Sequence, residues 1–382
     1  MSQKKKGNAY PKVVIATIVL ALLAAGCFVA NRYMTQKKET RLAEMQAQAR
    51  ATNETREREY QRELAEFAAQ NTGGANISWP TAKPQGWDVV DLTSYALESP
   101  TSVVMDREDL LYNGMLLVNQ WHSRPTEFDE TKVVKLKNYS KNVIRASDNS
   151  VALLPAAADA WIKLFEAAQV QKSYDYFMIE EGFRSYEAQQ KLFDKEKERL
   201  KSRYSDEEEL IAATAKRVNL PGTSEYNTGL SAHPRVYLKD NAEINAKDHN
   251  FFESEEGLWL YENAWQYGFV FRFPLADYPV KGTLDRSYKT GVSSKLRLFR
   301  YVGLANAAVM HTLDLCLEEY LDYLAEHPHI AVFEDGHLRY EIIREKVSDG
   351  DQISVTQSNK PGVRNVEAML DNMGYVITIM EF

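Results

Sequence analysis

LPGTSEYNTGLSAH, residues 220–233, is the stretch on which the reading of this chain turns. It is punctuated by Pro221, Gly222 and Gly229, and it carries one acid, Glu225, directly before Tyr226, with His233 at its end. Upstream, SDEEELIAATAKRV (205–218) opens on a Ser cap with acids in the first turn, which predicts a helix. YFMIEEGFRS (176–185) predicts a short strand ending at Gly182, and YEAQQKLFDKEKERLKSR (186–203) a charged helix. PAAADAWIKLFEAAQ (155–169) predicts an amphipathic helix opened by Pro155 at its first turn. NGMLLVNQWHS (113–123) reads as a strand followed by a turn. Helices alternate with short strands, so the fold class is α+β.

The stretch from Leu220 to His233 resembles the zinc-site segment of the D-alanyl-D-alanine carboxypeptidase family of the VanY type, which reads P-G-x-S-E-H-x-T-G-L-A-x-D, with its His and Asp on zinc. Other family blocks follow in order: Leu116-Leu117-Val118-Asn119, then Glu181-Gly182-Phe183-Arg184-Ser185-Tyr186-Glu187-Ala188-Gln189, then Trp259-Leu260-Tyr261-Glu262-Asn263-Ala264 with Tyr267-Gly268-Phe269, then Arg300-Tyr301-Val302-Gly303. The resemblance implies a zinc D,D-carboxypeptidase-like (LAS-type, peptidase M15-like) fold and, for an active member, trimming of D-Ala from peptidoglycan stem peptides.

The chemical positions depart from that pattern. A catalytic zinc needs three protein ligands and an open position for water. The first ligand position is Tyr226, whose phenol titrates near 10 and is a poor zinc ligand. The second is His233, where the family has Asp. The family's last block reads E-P-W-H-x-R-Y-V-G; counted back from Arg300, its base becomes Lys295 and its third ligand Leu298. No catalytic residue and no metal set is assigned, which leans against an enzyme and leaves no cofactor, with zinc kept for the alternative of an active carboxypeptidase. A displaced site built by His233 with His249 or His122 is a further alternative. The resemblance implies that Arg184, Gln189 and Ser224 contact the peptide terminus, since a guanidinium fork suits a carboxylate. The bland reading is that Arg184 pairs with Glu180 or Glu181 and only stabilises the fold.

At 382 residues, 44% apolar and 26% charged, the chain has an ordinary globular composition, which excludes disordered, collagen-like and multi-span classes. A net charge of −8 argues against nucleic acid as a partner. Cys27 and Cys316 are the only cysteines, too few for a disulfide scaffold. Cys316, in HTLDLCLEEYLDYL (311–324), reads as a packed thiol on an apolar helix face. The charge is uneven: residues 1–34 hold Lys4, Lys5, Lys6, Lys12 and Arg32 and no acid, whereas residues 71–382 hold 34 basic against 47 acidic groups.

Val13 to Ala30 is an uncharged apolar run, roughly 27 Å as a helix, just enough for a bilayer core. The lysines before it predict a cytoplasmic N-terminus and an extracellular bulk on the cell membrane. A signal anchor is preferred over lipidation at Cys27 or a cleaved signal peptide. Residues 35–70 lack Gly and Pro and are rich in Ala, Glu, Gln and Arg, which predicts a helical spacer or a dimerising coiled coil. At the other end, HIAVFEDGHLRYEIIREKV (329–347) reads as a hairpin turning at Glu334-Asp335-Gly336, with ISVTQ (353–357) and YVITIMEF (375–382) as further strands. His327, His329 and His337 read as surface residues.

The expected organisation is a basic tip (1–12), a transmembrane helix (13–33), a helical stalk (34–70), a linker (71–104), a degenerate carboxypeptidase-like domain (105–325) and a small β subdomain (326–382). The expected function is that of a membrane-anchored pseudoenzyme binding a peptidoglycan stem peptide or an envelope protein. An active zinc carboxypeptidase and an envelope scaffold acting through its stalk are the alternatives.

Overall fold

The computed structural model describes Arg32, Gln36, Thr40 and residues 79–382, apart from 142, 238–250 and 348–349. The chain divides into two units, Met1–Arg58 and Glu59–Phe382. In the first, Arg32, Gln36 and Thr40 are helical and exposed. The rest of the expected membrane segment and stalk lies outside the described residues, as does His249. Among the described residues no helix is long and apolar enough to cross a membrane.

The second unit is built on two five-stranded sheets. The strands are β1 (Trp87–Asp91), β2 (Pro100–Asp106), β3 (Val134–Lys135), β4 (Arg145–Ala146), β5 (Ala152–Leu153), β6 (Phe177–Glu181), β7 (Ser231–Val236), β8 (Phe269–Phe271), β9 (Phe299–Tyr301), β10 (His329–Glu334), β11 (His337–Lys346), β12 (Gln352–Ser358), β13 (Asn365–Leu370) and β14 (Tyr375–Glu381). The longer helices are α1 (Pro155–Lys172), α2 (Tyr186–Leu200), α3 (Glu207–Ala215), α4 (Glu255–Asn263), α5 (Leu304–Thr312) and α6 (Leu317–Glu326).

The first sheet runs β4-β6-β7-β9-β8. Helix α1 begins at Pro155, ends on Ser173 in a left-handed conformation, and buries Trp161, Leu164 and Phe165. The Trp161 ring lies 4.4 Å from Phe269 and 6.1 Å from Phe299, so one helix face closes the core over β8 and β9. Aromatic pairs of this kind add about 0.5–1.5 kcal/mol each beyond their burial. Ser185 caps α2 by accepting from the Ala188 N–H at 3.1 Å. At α3 the cap is Asp206, one residue after the predicted Ser205, and its carboxylate accepts from the Glu209 N–H at 2.9 Å.

The second sheet, β1-β10-β11-β14-β13, corrects two expectations. Part of the expected linker, Trp87 to Asp91, is a strand paired antiparallel with β10, and β2 pairs with β12. The sheet also shares one core with α5 and α6: Ala305, Val309, Leu317 and Leu321 pack with Ile330, Val332, Ile342 and Ile377. The C-terminal strands are therefore part of the same unit as the first sheet. The predicted β10–β11 hairpin is present, with Asp335 and Gly336 at φ 51° and 76°, the positive pair that a tight turn between right-twisted strands requires.

Three further readings are corrected. Met115 to Val118 is buried but forms no strand, because side chains take its backbone bonds. Arg300 donates to the Gly114 and Leu116 carbonyls at 2.8 and 2.6 Å, and the Leu117 N–H donates to Asn372 Oδ1 at 2.8 Å. The expected single helix around Leu313–Leu324 is broken at Asp314, whose φ is 52°, so Cys316 stands at the start of α6, buried as expected. His329 is buried, with Nε2 2.8 Å from Glu341 Oε1 and Nδ1 3.0 Å from the Tyr95 carbonyl.

Candidate functional site

The site is assembled where the end of β6 meets the loop before β7. Gly182 passes so close to β5 that a Cβ would lie 2.5 Å from the Ala152 carbonyl oxygen, which explains why this position takes no side chain. The next residues are stitched down: the Phe183 N–H donates to Ala152 O at 2.7 Å and the Arg184 N–H to Tyr226 O at 2.9 Å. Asn227 closes the loop, donating from Nδ2 to Arg184 O at 2.6 Å and accepting from the Gly222 N–H at 3.0 Å. Arg124 Nη1 donates to the Asn227 carbonyl at 3.1 Å. These bonds, from backbone and from the Asn227 and Arg124 side chains, hold the Arg184 and Tyr226 segments together.

A cleft of about 750 Å³ opens there, with Asp148, Glu180, Glu181, Arg184 and His233 among its walls. His233 lies on β7 directly across from Glu181 on β6, beside an irregularity in the pairing. Glu180 is approached by Arg235 Nη1 at 3.2 Å and Arg297 Nη2 at 3.6 Å. Arg184 is engaged on three sides. Its Nη1 donates to Gln189 Oε1 at 2.8 Å, its Nη2 pairs with Glu181, and its guanidinium lies 4.6 Å from the centroid of the Tyr226 ring.

The three residues expected to hold a peptide terminus take different places. Only Arg184 lines the cleft. Gln189 is buried behind it, donating to the Asn219 carbonyl at 2.7 Å. Ser224 is buried at the start of the one-turn 3₁₀ helix Glu225–Thr228 and makes no side-chain cap bond.

The four chemical positions carry a phenol, an alkyl chain, an ammonium and one imidazole. Tyr226 presents its ring to a guanidinium. Leu298 is buried and apolar, one residue before the core residue Phe299. Lys295 is exposed, its ammonium 5.2 Å from the Tyr278 ring centroid. His233 alone has a donor suited to zinc, and one imidazole falls short of the three ligands a catalytic zinc needs. His122 lies at its own bridge with Asn119 and does not line the cleft. Among the described residues no three His, Cys, Asp or Glu side chains are grouped to hold a metal ion.

Beneath the cleft runs a charge network that sequence reasoning missed. Glu225 is buried and accepts from Arg272 Nε at 2.8 Å and from the Ser231 hydroxyl at 2.7 Å, and it is paired with Arg300. Arg272 reaches on to Glu318 at 2.9 and 2.7 Å, and Asn119 Nδ2 donates to Glu318 at 3.1 Å. Burial pushes the Glu225 carboxyl up, but Arg300 and Arg272 outweigh it and hold the pKa below the usual carboxylate range. Two carboxylates and two guanidiniums balance, so the network carries no net charge into the core. Glu225, Arg300 and Asn119 stand in the quoted blocks, but the arginine partners of Glu225 lie 47 and 75 residues away, beyond what local sequence pairs.

A family model described as VanY, D-alanyl-D-alanine carboxypeptidase, matches residues 150–287, a window that contains Arg184, Gln189, Ser224, Tyr226 and His233 and stops before Lys295. The chain is 31% identical over 180 residues to the bifunctional D-Ala-D-Ala dipeptidase and carboxypeptidase VanXYC of Enterococcus gallinarum, covering 47% of this chain and 83% of that one. It is 28% identical over 252 residues to a D-alanyl-D-alanine carboxypeptidase of Enterococcus faecium, covering 65% of this chain and 70% of that one. The D,D-dipeptidase VanXYg, solved with a D-Ala-D-Ala phosphinate analogue, shares the fold at a TM-score of 0.53 and 21% identity, over 74% of this chain and 99% of that one.

Proposed function

The chain belongs to the VanY-type D-alanyl-D-alanine carboxypeptidase family, and from that premise we propose that it is a non-hydrolytic member, a pseudoenzyme whose cleft holds the end of a peptidoglycan stem peptide or a protein partner. The observation that carries this reading is the Tyr226 ring packed against Arg184 at the first ligand position, with Leu298 buried at the third. One imidazole, His233, set among phenol, alkyl and ammonium groups falls short of the three ligands that would hold a metal-bound water. In this reading Arg184 is the contact for a peptide carboxylate and Gln189 its positioning residue. The charged tip and apolar run of residues 1–30 support a tether to the cell membrane, with the folded unit outside.

The test is an assay of the full chain with a peptide ending in D-Ala-D-Ala, following D-Ala release and binding separately. Binding without release is expected. Release of D-Ala at a rate that scales with added zinc would establish the active carboxypeptidase instead, and absence of both binding and release would leave a scaffold.

A further inference from the structure

A second cavity, of about 230 Å³, lies between α4, β8 and the end of α5, and it shares no lining residue with the cleft. Its lining residues include the aromatics Tyr261, Trp265 and Phe271 and the acids Glu262 and Asp314, and no lysine or arginine. Tyr261 and Phe271 meet at 83° with centroids 6.1 Å apart, forming an aromatic corner. The third wall is a stack, His311 lying on Trp265 at 4.2 Å and 6°, with Trp87 holding the Trp265 edge at 90°.

We infer that this cavity is a binding site for an alkylammonium group. Ring faces carry negative quadrupole charge, and an ammonium set against several of them is attracted the more strongly as it is desolvated. The carboxylates supply the matching sign, and one of them is built into place. Asp314 is held in a left-handed conformation, φ 52°, by buried Arg286, which donates to its carbonyl at 2.6 Å and to Oδ2 at 3.2 Å. Arg286 is also bound to Glu319 at 3.0 Å, so its guanidinium is shared between Asp314 and Glu319. The remaining titratable wall does not oppose a cation. Desolvation against Trp265 lowers the His311 pKa, with Asp314 pulling the other way, which favours the neutral ring.

The site stands independently of the peptide cleft, and so does its test. The full chain is titrated by calorimetry with choline, with n-butylammonium, and with 3,3-dimethylbutan-1-ol, the neutral isostere of choline. An ammonium is expected to bind at least about tenfold more tightly than the neutral alcohol. Choline ahead of butylammonium would point to a quaternary head group, and the reverse order to a lysine-type amine. Glu262→Gln, at an exposed position, should weaken binding with the thermal transition unchanged, and the double variant Glu262→Gln/Asp314→Asn, which keeps the Arg286 bonds to the Asp314 carbonyl and to Glu319, should weaken it further. Equal affinity for choline and the alcohol, no binding by either ammonium, or unchanged affinity in the double variant would overturn the assignment.

Discussion

Replacing Glu181 with Gln should make the cleft a better receptor for a peptide carboxylate. In the structure Glu181 occupies one edge of the Arg184 guanidinium, and the pair is partly exposed, with side-chain exposures of 40% and 20%. An incoming carboxylate has to displace it. Such a half-exposed pair is worth about 1 kcal/mol at most, so removing the competing charge should tighten binding of a D-Ala-D-Ala peptide about fivefold. Gln189 stays in place and continues to orient the guanidinium through its 2.8 Å bond. Arg184→Ala removes the receptor itself; a hydrogen bond to a charged group contributes about 2 kcal/mol, so affinity should fall about thirtyfold. Isothermal titration of wild type, Glu181→Gln and Arg184→Ala at low and high salt gives the comparison, and the gain in Glu181→Gln should shrink as salt screens the attraction. Weaker or unchanged binding by Glu181→Gln, alongside binding by the wild type, would refute the claim that Glu181 competes for Arg184.

Glu225, with its folded pKa held low, contributes stability that is present above about pH 4.3, the ordinary Glu value, and is lost as pH falls through the lower folded value. Acid unfolding followed by circular dichroism should show this loss, and Glu225→Gln, which strands Arg300 and leaves Arg272 with Glu318 alone, should cost about 3–5 kcal/mol near neutral pH while flattening the acid limb. Gly182→Ala forces a Cβ to within 2.5 Å of the Ala152 carbonyl and should destabilise by about 1–3 kcal/mol in denaturant titration; a neutral result would mean that β5 yields freely. The quadruple variant Tyr226→His, His233→Asp, Lys295→Glu, Leu298→His puts an imidazole into a buried apolar place, so it should melt below wild type in chelator and recover on adding zinc. No zinc-dependent rise in Tm would show that the four positions do not face one another.

Much of the fold was legible because local signals agreed with the tertiary structure. Pro155, Ser185 and Asp335-Gly336 mark a helix start, a cap and a turn whose geometry is decided within a few residues. Misreadings arose where a distant group decided. Met115 to Val118 has the apolar run of a strand, but Arg300 and Asn372 satisfy its backbone from 184 and 255 residues away. His329 reads as a surface residue beside Pro328 until Glu341 and the Tyr95 carbonyl close on its ring. Trp87 to Asp91 is too short to declare itself and becomes a strand only through β10. At the site, Arg184, Gln189 and Ser224 stood out in the sequence only through their motif. That Arg184 alone lines the cleft, engaged by Glu181 and Tyr226, while Gln189 and Ser224 are buried, was not legible, since it depends on contacts between distant segments.

The central claim is that this cleft has lost its metal chemistry while keeping the arginine that meets a peptide. The most direct measurement is the metal content of the purified full chain by mass spectrometry, after equilibration with zinc and removal of the unbound ion. The account predicts substoichiometric zinc, unchanged by His233→Ala. One tightly held zinc per chain, lost in His233→Ala, would contradict it.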